Sequence, residues 1–353
     1  MNAIIHPRHS FNVLHGGDPA PWFRQKTLSG DLSDFDLAAG RYQLLCFFGS
    51  SLMPIGQNAL KALAKHRAIF DDVRLSFSGV TIDPSCATSG RIKMQGPGIR
   101  FYIDADGSVT RKYGALPIDT SQQTGLPYRG LWVIVDPTLR IVEVMPFEES
   151  GENHEYLFRY LRILPAPAMH AGIPVHAPIL VLPQVFPLEF CQRMIALHDA
   201  AGETDANAKI TGQRPNSLIN DASIIAEAQK YVLQRIVPEI RKAFQFKVTH
   251  MEHYQIECSS VIAGENTHPK RNNSTSGTAH RRFAVSINLN HDFTGGEIGF
   301  PEYGPRTFKA QAGGAIVYSC SFLQEVTPIS RGRRYAFQPF LHDGAAVPVR
   351  KAP

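Results

Sequence analysis

Cysteine is sparse in this chain, five residues in 353, and its placement excludes more than its number does. Cys46, Cys86, Cys191, Cys258 and Cys320 are scattered, odd in number and free of any CxxC pair, so a disulfide framework is not expected. No apolar run reaches the length of a membrane span, and the N-terminus lacks a charged segment followed by a signal-type apolar core. A soluble chain of the cytoplasm is the expectation, with no membrane partner. Internal repeats are lacking, and so is any basic stripe interleaved with aromatics. The formal net charge of +5 is therefore a mild excess that does not imply a nucleic-acid surface. The one polar low-complexity stretch, Asn272-Asn273-Ser274-Thr275-Ser276-Gly277, reads as a mobile loop.

What the chain does have is 43% hydrophobic content with both signs of charge interspersed, enough for two globular cores. The seam is expected near Leu164-Pro165-Ala166-Pro167 through Gly172-Ile173-Pro174, where prolines follow the amphipathic helix pattern Glu155-Tyr156-Leu157-Phe158-Arg159-Tyr160-Leu161-Arg162. This divides the chain into a domain at 1–165, a linker at 166–176 and a second domain at 177–353. Beyond the seam, Pro187 to Ile195 and Ala222 to Phe244 read as helices.

The first domain alternates strands and helices. An apolar strand, Tyr42-Gln43-Leu44-Leu45-Cys46-Phe47-Phe48, leads through Gly49-Ser50-Ser51-Leu52-Met53-Pro54-Ile55-Gly56 into a helix at Ala59-Leu60-Lys61-Ala62-Leu63. Further strands end at Val80-Thr81-Ile82-Asp83-Pro84 and run through Trp132-Val133-Ile134-Val135-Asp136-Pro137, with Asp104-Ala105-Asp106-Gly107 and Lys112-Tyr113-Gly114 between them. Such alternation predicts an α/β layer. Over roughly residues 20 to 146 this pattern resembles the peroxiredoxins, which implies a thioredoxin-like fold. That family carries its peroxide-reducing cysteine at the first turn of the helix, where the helix N-terminus lowers the thiol pKa. Here Gly56 stands at the cysteine position and Met53 at the threonine before it, so peroxidase chemistry is not expected. Cys46 reads as inert packing and Cys86 as a loop residue open to exposure. A homodimer through this half is implied by the resemblance alone.

The second domain carries a denser pattern. Gly277-Thr278-Ala279-His280-Arg281-Arg282-Phe283-Ala284-Val285-Ser286-Ile287-Asn288-Leu289-Asn290 is followed by Gly295-Gly296-Glu297, by Glu325-Val326-Thr327-Pro328, and by Gly332-Arg333-Arg334-Tyr335-Ala336-Phe337. Together these resemble the prolyl-4-hydroxylase-type dioxygenases that use 2-oxoglutarate and ferrous iron. The resemblance implies a double-stranded β-helix, or jelly roll, with flanking helices. It also implies an HxD pair ahead of the first block and a histidine opening the third. Those places hold Lys270, Asn272 and Gln324. An ammonium has no lone pair to give and an amide is a weak neutral donor, so conventional iron binding is not expected. A register shifted by two residues would bring in His268 as a fallback ligand.

Arg334, ten residues after Gln324, occupies the place at which the family grips the distal carboxylate of 2-oxoglutarate, a task suited to a planar guanidinium. Tyr254 lies where such enzymes place an aromatic hydroxyl near the cosubstrate, although a tyrosine in an alternating strand also reads as packing. Gly295-Gly296 reads as a turn. If Lys270 were enclosed beside Arg334, desolvation and like charge would leave it partly as free amine, able to form an imine or act as a base. The bland reading is a lysine facing solvent.

Three functions stay open. The first is an iron-independent enzyme or binder with Lys270, Asn272 and Gln324 as polar or acid/base groups, Arg334 as anion anchor and a small acidic molecule, 2-oxoglutarate or a relative, as ligand. The second is a non-catalytic scaffold. The third is a genuine dioxygenase with relocated ligands including His268.

Overall fold

The computed structural model describes residues 10–93, 96–118, 126–148, 152–204, 217–261 and 269–344. The chain divides into two compact units, one comprising residues 1–175 with 301–304 and the other 176–300 with 305–353. Among the described residues no helix is long and apolar enough to cross a membrane.

The first unit is built on a seven-stranded sheet. Its spatial order is Leu32–Asp34, Arg24–Thr27, Ile99–Ile103, Leu75–Thr81, Tyr42–Gly49, Leu131–Val135 and Ile141–Pro146. The central strands Tyr42–Gly49, Leu75–Thr81 and Ile99–Ile103 run parallel, and Leu131–Val135 joins them antiparallel. Every residue of Tyr42–Gly49 is buried, as expected of a strand covered on both faces. One covering layer comes from helices Pro54–Lys65 and Glu152–Ile163. Their Ala59, Leu63, Leu157, Phe158 and Leu161 join Leu44, Cys46, Phe48, Phe77, Trp132 and Ile134 in one core. Pro54 opens the first helix where its missing N–H costs nothing. Burial pushes the Cys46 thiol pKa well up, in keeping with a packing residue.

In the second unit an eight-stranded antiparallel sheet runs in the order His250–Glu252, Phe340–His342, Phe283–Asn288, Arg333–Phe337, Gln255–Ser260 and Ser217–Leu218. Ala315–Ser319 pairs with Phe283–Asn288 and with Leu180–Leu182. A smaller sheet joins Thr307–Phe308, Ile298–Gly299 and Glu325–Val326. Helices Leu188–Thr204, Ala222–Arg235 and Val237–Phe244 cover one face of the large sheet. The single helical stretch expected from Ala222 to Phe244 is thus two helices. Pro238, at the start of the second, has no N–H to continue the ladder of the first. Gly295 and Gly296 both have positive φ, 85° and 67°, and a Cβ on Gly295 would lie 2.0 Å from the Pro328 carbonyl oxygen, so the turn requires glycine there.

Period-2 alternation sorts the large sheet into two chemically distinct faces. Phe283, Val285, Ile287, Ala315, Val317, Tyr335, Phe337, Ile256 and Leu341 join the helix-side core. The alternate positions, Ser286, Asn288, Tyr318, Arg334 and Glu257, put polar groups on the other face.

Candidate functional site

Arg334 lies on that polar face, only 2% exposed. Its Nε donates to Asn288 Oδ1 at 3.0 Å and its Nη2 to Ser286 Oγ at 2.8 Å. Both partners are neutral and buried. Desolvation lowers the guanidinium pKa, with Glu257 and Tyr318 opposing it. Among the described residues no carboxylate forms an ion pair with it. A cation so held keeps its charge at neutral pH and has only partial charge compensation from the protein.

The three positions expected to replace iron ligands do come together, in unequal roles. Lys270 and Gln324 form a two-bond antiparallel bridge, each N–H donating to the other's carbonyl at 2.9 Å. Gln324 is 5% exposed and its Oε1 accepts from the Tyr318 hydroxyl at 3.0 Å. The half-buried Asn272 interacts with the same hydroxyl, and its N–H donates to the Cys320 carbonyl at 2.9 Å. Burial pushes the Tyr318 phenol well above its ordinary pKa, so it stays a neutral donor. Lys270 itself is exposed, not enclosed beside Arg334, so the desolvated setting an imine-forming lysine requires is not around it. The buried cation of this segment is Arg271, 6% exposed, whose guanidinium donates to the Ser321 carbonyl.

These side chains do not fit ferrous iron. The set offers an exposed ammonium and two amides engaged with one phenol, in place of two imidazoles and a carboxylate. His268 lies outside the described residues. Tyr254 belongs to the opposite face. It packs against the helix-side core, donates from its hydroxyl to the Met251 carbonyl at 2.9 Å and accepts from Gln229 Nε2 at 2.6 Å. Arg334 is on the other side of the sheet, so Tyr254 is a packing residue turned away from it. The stretch expected as a mobile loop is also tied down: Asn273 Nδ2 donates to Ser321 Oγ at 2.8 Å, and the Thr275 and Thr278 hydroxyls lie 2.8 Å apart. Short polar side chains that close local turns have the same composition as a loop. Sequence reasoning missed Tyr318, because an aromatic in the strand pattern Ala315–Ser319 carries no local mark of polar duty.

The first unit holds a second cluster, beside Gly56, the position read from the sequence as that of a peroxidatic cysteine. Gly56 is buried in the first turn of helix Pro54–Lys65, and a Cβ there would lie 2.3 Å from the Ser50 carbonyl oxygen and 2.6 Å from that of Phe48. A cysteine cannot occupy this backbone without displacing two carbonyls. Cys86, read from sequence as open to exposure, is fully buried in the short helix Ser85–Thr88. Its Sγ lies 3.2 Å from Ser51 Oγ, 3.5 Å from Asp83 Oδ2 and 3.6 Å from Thr81 Oγ1. Arg91 Nε donates to Ser51 Oγ and its Nη2 to Ser85 Oγ, each at 2.9 Å. Hydrogen bonds from Ser50 and Ser85 hold the Asp83 carboxyl down to about 2.

Residues 16–144 match the AhpC/TSA family. The parallel centre and antiparallel flank of the seven-stranded sheet agree with that match, and the amino-terminal part has a thioredoxin-like, peroxiredoxin fold. No curated protein matches the chain. Solved structures similar to it include the peroxidoxin BcpB of Mycobacterium tuberculosis, at 19% identity over 44% of this chain and 100% of that one, with a TM-score of 0.36. AhpC of the same organism shows 19% identity over 43% of this chain and 94% of the other, TM-score 0.35. A viral collagen prolyl hydroxylase from Paramecium bursaria Chlorella virus-1 shows 12% identity over 46% of this chain and 89% of its own, TM-score 0.37.

Proposed function

We propose that the second unit is a binding unit for a small carboxylate, built on a prolyl-hydroxylase-like jelly roll that holds no iron at the family position, and that the first unit is not a peroxidase. The observation that carries the reading is Arg334, a guanidinium 2% exposed whose hydrogen bonds go to the neutral Asn288 and Ser286. A buried cation without a direct counter-charge is costly unless an anion completes it, and a carboxylate fits the guanidinium fork. The family resemblance supplies the ligand class, 2-oxoglutarate or a related acid. Catalysis in this reading would have to do without Lys270 as an enclosed amine, since it is exposed.

A second reading is favoured by the Tyr318–Gln324 hydrogen bond: the phenol fills the place of a metal and closes the fold as a non-catalytic scaffold. Calorimetric titration of the full chain with 2-oxoglutarate, succinate and their dimethyl esters separates the two. The carboxylate reading expects the free acids to bind and the esters not, with Arg334→Lys weakening binding about tenfold or more through loss of the bidentate fork. No heat and no thermal shift with either acid at millimolar concentration would leave the scaffold reading.

A further inference from the structure

The same polar face carries a second cluster, at the edge of the large sheet. Register places His250 opposite His342 and Glu252 opposite Phe340 on adjacent strands, and His280 lies just ahead of the next strand inward, Phe283–Asn288. His280 and His342 are 7% and 4% exposed. One donor atom from each of Glu252, His280 and His342 lies within 4.8 Å of the others. The geometry points to a site for a divalent transition-metal ion, with zinc as the reference case, formed by Glu252, His280 and His342.

Three features carry this. His280 Nε2 lies 3.0 Å from Glu252 Oε2, close to the ~3.3 Å that separates two donors around a tetrahedral ion with bonds of about 2.0–2.1 Å. Its other nitrogen, Nδ1, is buried with no hydrogen-bond partner among the described residues, and native interiors rarely leave such an atom idle. An imidazole with one nitrogen on a carboxylate and the other uncommitted matches the arrangement in which a carboxylate orients a metal-bound histidine. Coordination through Nδ1 keeps Glu252 as that orienting group, and coordination through Nε2 makes it a direct ligand. Both need the same three residues. The third feature is the stacking of His250 on His342, ring centroids 5.0 Å apart, which places a further imidazole at the cluster.

The surroundings select the kind of ion. Arg281 Nε sits 2.6 Å from Glu252 Oε1, anchoring the carboxylate but also neutralising it, so charge attraction alone is weak here. Magnesium and calcium, which depend on several anionic or carbonyl oxygens, are disfavoured. Ions that favour imidazole nitrogen are selected instead. His342 Nδ1 accepts from the Gly344 N–H at 3.1 Å, and coordination gives up this turn bond through either nitrogen, because Nδ1 either hands its lone pair to the metal or carries the proton when Nε2 coordinates.

Full-length protein stripped with chelator and titrated with zinc, cobalt and magnesium tests the site. One zinc per chain, a visible cobalt ligand-field spectrum and no magnesium binding are expected. His342→Ala and Glu252→Gln should each weaken zinc at least tenfold with unchanged far-UV circular dichroism, while Lys270→Ala should leave it unchanged. If the histidine variant does not fold, Glu252→Gln, which keeps the side-chain size, still decides. Substoichiometric zinc, or affinity undiminished in the glutamine variant, would overturn the assignment.

Discussion

Arg334 and Gly56 show how much one residue can decide. At Gly56 two effects of opposite sign compete: alanine gains about 1 kcal/mol over glycine in a helix, while overpacking a tight site costs about 1–3 kcal/mol. With backbone oxygens 2.3 and 2.6 Å from the new Cβ, the clash wins. Gly56→Cys is expected to lower stability by up to about 2 kcal/mol and to bring no peroxide reduction; a raised urea midpoint would show that those carbonyls yield. Tyr318→Phe removes the partner of the buried Gln324 Oε1, a loss of about 1–2 kcal/mol, measurable by the same denaturation. Asp83 makes a pH prediction. Hydrogen bonds from Ser50 and Ser85 hold its folded pKa near 2, below the ~3.9 of an unfolded aspartate. The stabilisation is therefore present above about pH 4 and fades as pH falls toward 2. Asp83→Asn should flatten that acid limb, and an unchanged limb would remove Asp83 as its source.

The helix Glu152–Ile163 illustrates the scale of an element. Leu157, Phe158 and Leu161 are all fully buried against the sheet, and Leu161→Ala should cost about 2–5 kcal/mol. The same helix places His154, 6% exposed, so that its Nδ1 accepts from Trp132 Nε1 at 3.0 Å. Desolvation lowers the His154 pKa, so the folded state holds the ring neutral while the unfolded chain protonates near pH 6.5. Stability should be full above about pH 6.5 and decline below it. Comparing urea midpoints at pH 7.5 and 5.5 checks this, because His154→Gln should narrow the difference. Strand alternation is the other lesson of this scale. It puts Arg334, Asn288 and Ser286 on one face and Tyr335, Phe337 and Ile287 on the other, and the same rule sends Tyr254 to the helix side, away from Arg334.

Across the whole molecule, each unit carries a buried polar cluster on its sheet framework. In the first, the backbone around Gly56 leaves no room for a side chain. In the second, two amides turn to Tyr318 and a lysine turns outward. Hydrogen peroxide consumption by the full chain with dithiothreitol should stay at background, and Cys86→Ser should not change it; a thiol-dependent rate abolished by that substitution would make Cys86 a working nucleophile.

Strands and helices were largely legible beforehand because their signals are local. The apolar run Tyr42 to Phe48, the amphipathic period of Glu155 to Arg162 and the Gly295-Gly296 turn each carry their reason within a few residues. The donor chemistry at Lys270, Asn272, Gln324 and Gly56 was readable for the same cause, since an ammonium, an amide or a hydrogen keeps its character in any fold. Orientation and long-range pairing were not. The exposure of Lys270, the burial of Arg271 and Cys86, the meeting of Gln324 and Asn272 at Tyr318, and the convergence of Glu252, His280 and His342 from separated segments all depend on which face a strand turns inward and which strands become neighbours. The sequence by itself determined which donor and acceptor groups stand at each position, because that depends on residue type alone. Only the tertiary structure decided which polar groups meet, because proximity between distant segments is set by sheet register and core packing rather than by local pattern.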